Sequence, residues 1–256
     1  MDMKENMFVE GHRGYCAKYP ENTLISFEGA MDLGVDGFEF DIWLSKDKVP
    51  VLMHDGNCKR TCGVDKHLRD MALEEIKQLD AGYAQKFGDK YIGKGVGVPT
   101  LRELCELVTA KGRTDIVLGV EIKEYTEECV DLSVPILKEF GLFDAACFYA
   151  FDAQTIKYLK TKYGARVMGY PDFQMRRFEA DSYDYYDEIG LNMPITRSEI
   201  YPVYAAKKMP IHLYCADTDE QIELCFTRTE SNFITANDPV PLMKKLGRRI
   251  GETKEY

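Results

Sequence analysis

A single (β/α)8 barrel, the TIM-barrel class, is the fold this sequence predicts, and three observations predict it. Short β-type apolar runs alternate with helical stretches almost to the end of the chain, the pattern of a parallel sheet with helical crossovers. About eight such units fit within the 256 residues, the usual size of a closed barrel. The first strand runs into "GHRGYC", which does not match the G-x-G-x-x-G turn of a dinucleotide fold and so disfavours the open, doubly wound alternative.

The elements follow in order. "MFVEGH" reads as strand 1, and "TLISFEGAMDLG" as helix 1, with Asn22 as its N-cap and Gly34 as its stop. "DGFEFDIWL" alternates at period two and reads as strand 2; "VPVLMHD" is a short extended return. Residues 56–98 break the rhythm with polar, charged helical pieces and end in "GKGVGVP", so they read as an inserted subdomain of one domain spanning 1–256. The rhythm resumes with helix "TLRELCELVTAKG", strand "DIVLGVEIK", helix "EECVDLSVPILKEFG", strand "AACFYA" and helix "DAQTIKYLKTKYG". After strand "ARVMGY" comes an ambiguous aromatic and charged segment over 172–186. Strand "YDEIGLN", a helix "RSEIYPVYAAKK" bent near Pro202, strand "PIHLYCA", helix "DEQIELCFTR", strand "NFITAN" and a closing "PVPLMKKLG" complete the series.

The formal net charge of -10 repels nucleic acid and anionic lipid at long range, which excludes both as first-choice partners. An anionic substrate then needs a local basic pocket. Most of the eight cysteines lie in apolar runs and behave there as small hydrophobes. "MDMKENMFVEG" has no leader pattern and no run is apolar enough to span a membrane. A cytoplasmic location with no integral membrane segment is the expectation. Cys58, Cys62 and His67 lack the second ligand pair of a zinc finger.

In a barrel the chemistry sits at the carboxyl ends of the strands. Strand 1 ends in His12-Arg13. Strand 2 carries Glu39 and Asp41, two apart and therefore on one face. The return ends in His54-Asp55, and strand 3 carries Glu121 and Lys123, again two apart. Phe38, Phe40 and Ile42 then face the helices and leave the carboxylates facing inward. Solvated faces, or structural Glu–Lys pairs, are the competing reading. Three converging carboxylates repel one another unless a hard cation such as Mg²⁺ or Ca²⁺ joins them. His12 and His54 suit an acid–base pair, with His12 as base and His54 as acid, and Arg13 and Lys123 suit a phosphate. Glu21 is expected behind Arg13 or His12. His67 and His212 are expected to be structural.

Together these motifs resemble the glycerophosphodiester phosphodiesterase family. "GHRG" with "PENT" resembles its opening motif, and "FEFDIWLSKDKVPVLMHD" its E-x-D…HD block. "RTCG", "VPTLRELCEL" and "VEIK" match later blocks in the right order. The resemblance covers essentially the whole chain and is strongest through residue 123. It implies a barrel with a small insertion after the second strand, a divalent cation on Glu39, Asp41 and Glu121, catalysis by His12 and His54, and phosphate contacts from Arg13 and Lys123. The implied substrate is a small glycerophosphodiester, cleaved to glycerol 3-phosphate and an alcohol. Two positions depart from the family: Ala150-Phe151 stands where Ser-Phe is frequent, and "YCAD" where the pattern is W-T-x-N. Tyr214 there keeps an aromatic substrate wall but adds a hydroxyl. A lysophospholipase D-type enzyme, with "YPDFQMRRF" as an apolar rim, and a non-catalytic phosphate-ester binding barrel are the alternatives.

Overall fold

Parallel strands close into a ring in the computed structural model, which describes residues 7–256. Residues 1–6, part of the stretch read as having no leader pattern, lie outside the described residues. The strands are β1 (Phe8–Gly11), β2 (Gly37–Leu44), β3 (Pro50–Leu52), β4 (Val117–Ile122), β5 (Ala146–Tyr149), β6 (Arg166–Gly169), β7 (Glu188–Asn192), β8 (Ile211–Tyr214) and β9 (Ser231–Ala236). β1 pairs with both β9 and β2, and this closes an eight-stranded parallel barrel. β3 is the exception: it returns antiparallel along the far end of β2, Ile42 opposite Leu52 and Leu44 opposite Pro50.

The alternation of β2 explains how it sits. Phe38, Phe40 and Ile42 are fully buried on the outer face. Phe27 of α1 (Leu24–Leu33) packs on Phe38 and Phe40, with ring centroids 5.0 and 6.0 Å apart. The intervening Glu39 and Asp41 must then point into the barrel. Gly34, at φ 91°, ends α1 as expected. The cap differs: Thr23, not Asn22, accepts the N–H of Ser26. Asn22 is in the left-handed region at φ 55°, and its amide is committed to Asp41.

The inserted segment, residues 56–98, folds as short helical turns: α2 (Lys59–Cys62), α3 (Leu73–Ile76) and α4 (Ala84–Phe87). It has a small core of its own, in which Cys58, Leu68, Met71 and Ile76 pack on Val51 of β3. Burial pushes the Cys58 thiol up to about 12, as suits a small core hydrophobe. The barrel's own helices resume with α5 (Leu101–Ala110), opened by a Thr100/Glu103 capping box, then α6 (Glu127–Glu139) and α7 (Ala153–Tyr158).

One crossover resolves an ambiguous segment and another departs from its expected helix. The segment 172–186 forms only short 3₁₀ turns at Asp172–Gln174 and Ser182–Tyr185. Of the helix expected over "RSEIYPVYAAKK", bent near Pro202, only α9 (Tyr201–Ala205) forms, and a separate short helix, α8 (Met193–Arg197), precedes it; each has a proline in its first turn. Proline is favoured at that position and disfavoured within a helix. α10 (Asp219–Phe226) and α11 (Pro239–Lys245) complete the chain.

Candidate active site

The strand register builds the site. β2 pairs with β4 so that Asp41 lies opposite Glu121, and Glu39 sits two residues below Asp41. One ligand oxygen from each of the three carboxylates lies within 4.8 Å of the others, and no other group of three metal-ligating side chains is this close among the described residues. All three are buried. Glu39 Oε1 and Asp41 Oδ1 accept no hydrogen bond. Buried carboxylate oxygens without donors are costly, and a hard divalent cation would satisfy these two together with an oxygen of Glu121. The register supplies the reason sequence parity could find them.

Two cations face this cluster. Lys123 Nζ lies 2.9 Å from Glu121 Oε1 and 3.4 Å from Asp41 Oδ1. Arg13 Nε lies 3.5 Å from Asp41 Oδ2, and the Arg13 backbone N–H donates to Glu39 Oε2 at 3.0 Å. Arg13 adopts φ 52° and is followed by Gly14 at φ 83°, where a Cβ would stand 2.5 Å from Ser26 Oγ; hence the glycine after His-Arg. Burial pushes Asp41 up, but Lys123, then Arg13 and His54, outweigh it and hold the carboxylate below its usual range. Glu39 is raised well above its usual range, by burial and then by Asp41 and Glu121. Glu121 is raised by burial, against the pull of Lys123.

Both histidines face the same cavity, about 220 Å³ in volume, together with Arg13, Lys123 and Tyr214. His12 Nδ1 is 2.7 Å from Asn237 Oδ1. Asn237 in turn donates from Nδ2 and from its backbone N–H to Asp217, at 2.6 and 2.7 Å. That fixes the amide with its oxygen toward His12, so Nδ1–H donates and Nε2 keeps its lone pair, 3.8 Å from Glu39. Burial, and then Arg13, lower the His12 pKa to about 4. His54 Nδ1 is 2.6 Å from Asp55 Oδ1.

A further charge network lies behind these groups. Arg60 of the inserted segment donates from Nε to Asp55 at 2.6 Å and holds Glu21 through both Nη atoms at 2.7 and 2.9 Å. Glu21 also accepts from Arg13 Nη1 at 2.8 Å. Glu21 thus touches Arg13 and Arg60; it is not bonded to His12. The sequence reading gave Asn22 only as a helix cap and Asp55 only as the neighbour of His54, and it gave Arg60 and Asn237 no role. Asp55 and Arg60 stood inside the quoted motifs and could have been found there; Asn237 follows a strand with no spacing signal at all.

The wall and floor are aromatic and polar. Phe151 stacks on Tyr170 at 3.8 Å, and Tyr170 meets Tyr214 edge-on at 5.6 Å. In the segment that the alternative reading makes an apolar rim, Tyr170, Pro171 and Met175 are buried, whereas Phe173 is exposed, at 62%. His212 is buried on the floor, 2.6 Å from Thr235 Oγ1 and 3.2 Å from Glu10, which also accepts from Tyr149. His67 lies edge-on against Trp43 at 5.3 Å, away from the carboxylates.

Fold and site define a class: a TIM-barrel protein with a buried carboxylate cluster that could hold a cation, set beside two histidines and two basic side chains. The sequence pattern of the glycerophosphoryl diester phosphodiesterase family matches residues 12–226, and the chain belongs to that family. It is 44% identical over 115 residues to a glycerophosphodiester phosphodiesterase of Caldanaerobacter subterraneus, covering 45% of this chain and 44% of the relative. It is 37% identical over 117 residues to one of Bacillus altitudinis, again covering 45% and 44%. The matched region spans less than half the length of these curated relatives. The barrel is similar to that of an Oleispira antarctica phosphodiesterase solved with the product sn-glycerol-3-phosphate, at TM-score 0.79 and 23% identity, over 96% of this chain and 100% of that one. It is also similar to a Thermotoga maritima glycerophosphodiester phosphodiesterase, at TM-score 0.72 and 25% identity, over 94% and 98%.

Proposed function

We propose that this protein hydrolyses glycerophosphodiesters to glycerol 3-phosphate and an alcohol, with Glu39, Asp41 and Glu121 holding Mg²⁺ or Ca²⁺. The observation that carries the reading is the pair of donorless carboxylate oxygens, buried beside two histidines and two cations in one cavity. A bound divalent cation there supplies positive charge against the charge that grows on the phosphate.

The chain's own groups do the rest. Arg13 and Lys123 face the phosphate oxygens and add fixed positive charge. His12 is the base: its Nδ1–H is held by Asn237 and its low pKa keeps it neutral, so Nε2 takes a proton from the attacking oxygen of water or of a substrate hydroxyl. His54 is the acid: Asp55 holds its Nδ1 at 2.6 Å, and the N–H on its other ring nitrogen gives its proton to the departing alcohol. In hydrolysis one P–O bond forms to the water oxygen and one breaks to the alcohol. Tyr214 and its aromatic neighbours wall the organic part of the substrate. The name and bound product of the Oleispira antarctica protein support the substrate class.

The test is a panel assay. Purified protein is incubated with glycerophosphocholine, glycerophosphoethanolamine, glycerophosphoglycerol and a lysophospholipid, with and without EDTA, and glycerol 3-phosphate from the first three and lysophosphatidic acid from the last are measured. Release from at least one of the first three, abolished by EDTA, is expected. No release from any of them overturns the reading, and turnover of the lysophospholipid alone moves it to the lipid-acting alternative.

A further inference from the structure

A second cavity, about 480 Å³, opens beside the first and shares Lys123 with it. Trp43 forms part of its wall, and the Trp43 indole N–H donates to the His54 carbonyl oxygen at 3.2 Å. The groove therefore begins next to the residue read above as the acid for the departing alcohol.

Its charge is unusual for so acidic a chain. Two carboxylates line it, and both are spoken for. Glu124 takes the backbone N–H of Leu44 on one oxygen and Arg69 on the other, each at 2.9 Å. Asp152 caps α7 and is gripped by two nitrogens of Arg177, at 2.6 and 2.7 Å. Arg69 and Arg177 are thereby used. Arg176 is not: among the described residues no carboxylate lies within ion-pair distance of it. Its guanidinium is exposed and lies over the ring of Tyr125, 5.6 Å from the centroid. Its backbone is fixed by bonds to Phe151 and Ala153, so the charge stands at a defined place. Tyr125 and Arg177 both sit at positive φ, 53° and 47°, and strained non-glycine backbone of this kind concentrates at ligand sites.

We propose that this groove seats the departing alcohol and selects one that carries its own phosphate, with Arg176 as the specificity-determining residue. The proposal rests on the hydrolase reading and deepens it. A planar guanidinium with no carboxylate partner among the described residues is matched to a phosphate by its paired N–H donors. A phosphate takes more such donors than a carboxylate, and His67 and the already paired Arg69 and Arg177 share the groove with Arg176. The volume is in the range of small-molecule sites and admits a phosphorylated ring. An alcohol ending in a quaternary ammonium would instead meet like charge there.

The test compares two diesters that differ by one phosphate: glycerophosphoinositol and glycerophosphoinositol 4-phosphate. Release of glycerol 3-phosphate gives kcat/KM for each, in wild type and in Arg176→Gln. The wild type is expected to favour the phosphorylated diester on the order of 10-fold, with the preference shrinking as salt rises. Arg176→Gln is expected to bring the ratio close to one, and its turnover of glycerophosphoinositol shows that the variant is folded. A wild-type ratio near one, or a preference that survives Arg176→Gln, overturns the proposal while the hydrolase reading stands. A wild type that cleaves neither inositol diester but cleaves glycerophosphocholine also overturns it. Failure on all three, and on glycerophosphoethanolamine and glycerophosphoglycerol as well, overturns the hydrolase reading, and this proposal with it.

Discussion

At His12 a chain of hydrogen bonds sets one proton: Asp217 orients Asn237, and Asn237 orients the imidazole. At His54 the partner is a carboxylate, Asp55, and not an amide. The two rings thus differ in the partner held on Nδ1, and the proposed roles of base and acid follow that difference. Replacing either by alanine is expected to lower kcat by about 10²–10⁴-fold, with a far-ultraviolet circular dichroism spectrum like the wild type's. Near-normal rates in both variants would refute the assignment. Asn237→Asp is expected to be more harmful than a surface change of equal size, because a carboxylate beside His12 favours the imidazolium and removes the base; the measurement is kcat across pH.

At the scale of elements, the inserted segment between β3 and α5 is part of the site. Through Arg60 it joins Asp55, behind His54, to Glu21, behind Arg13. Tyr83, also in the insertion, donor or acceptor to no catalytic group, takes a hydrogen bond from Arg60 at 2.9 Å. Arg60→Gln is expected to reduce kcat about 10- to 100-fold, as loss of an orienting partner commonly does, with a melting temperature within a few degrees of wild type. A large fall in melting temperature with unchanged kcat would make Arg60 a stability residue only. The elements also show what the sequence made legible. β2 announced itself because its aromatic face and its carboxylate face differ in every residue, and β4 carried the same signal in "VEIK". Thr23 and Asn22 are both good caps, so only a tertiary partner, Asp41, could tell which one capped α1. Residues 172–186 carry no 3.6-residue period, and Pro202 reads as a bend and Pro194 as nothing, although each lies in the first turn of a helix. Arg60 and Asn237 act across the chain, from residues whose neighbours in sequence say nothing about what they touch.

The whole molecule is one continuous barrel core, with the insertion's smaller core beside it, and with its last residues folded back over α1. The Gly251 N–H donates to the Leu33 carbonyl at 3.0 Å. Lys254 and the Tyr256 hydroxyl meet Glu28 at 2.6 and 2.8 Å, and Tyr19 donates to the Lys254 carbonyl at 2.6 Å. Burial raises Glu28, but hydrogen bonds from Lys254, Lys111 and Tyr256 outweigh it and bring its pKa down to about 2. A carboxylate depressed in the folded state contributes stability above its unfolded value, near 4.5, and loses it as pH falls toward about 2. Melting curves of wild type and Glu28→Gln should differ most at pH 5–6 and converge on acidification; a gap that stays constant between pH 5 and 3 would exclude this linkage. The central claim about the molecule remains that three buried carboxylates at the barrel mouth serve a cation and, through it, phosphodiester cleavage. Glycerol 3-phosphate release from a cleaved diester, measured on EDTA-treated protein during stepwise addition of Mg²⁺ or Ca²⁺, tests it most directly. The account predicts background rates in EDTA, saturable recovery on adding the cation, and a weaker half-saturation in Asp41→Asn; full activity in EDTA, or recovery unaltered by Asp41→Asn, would contradict it.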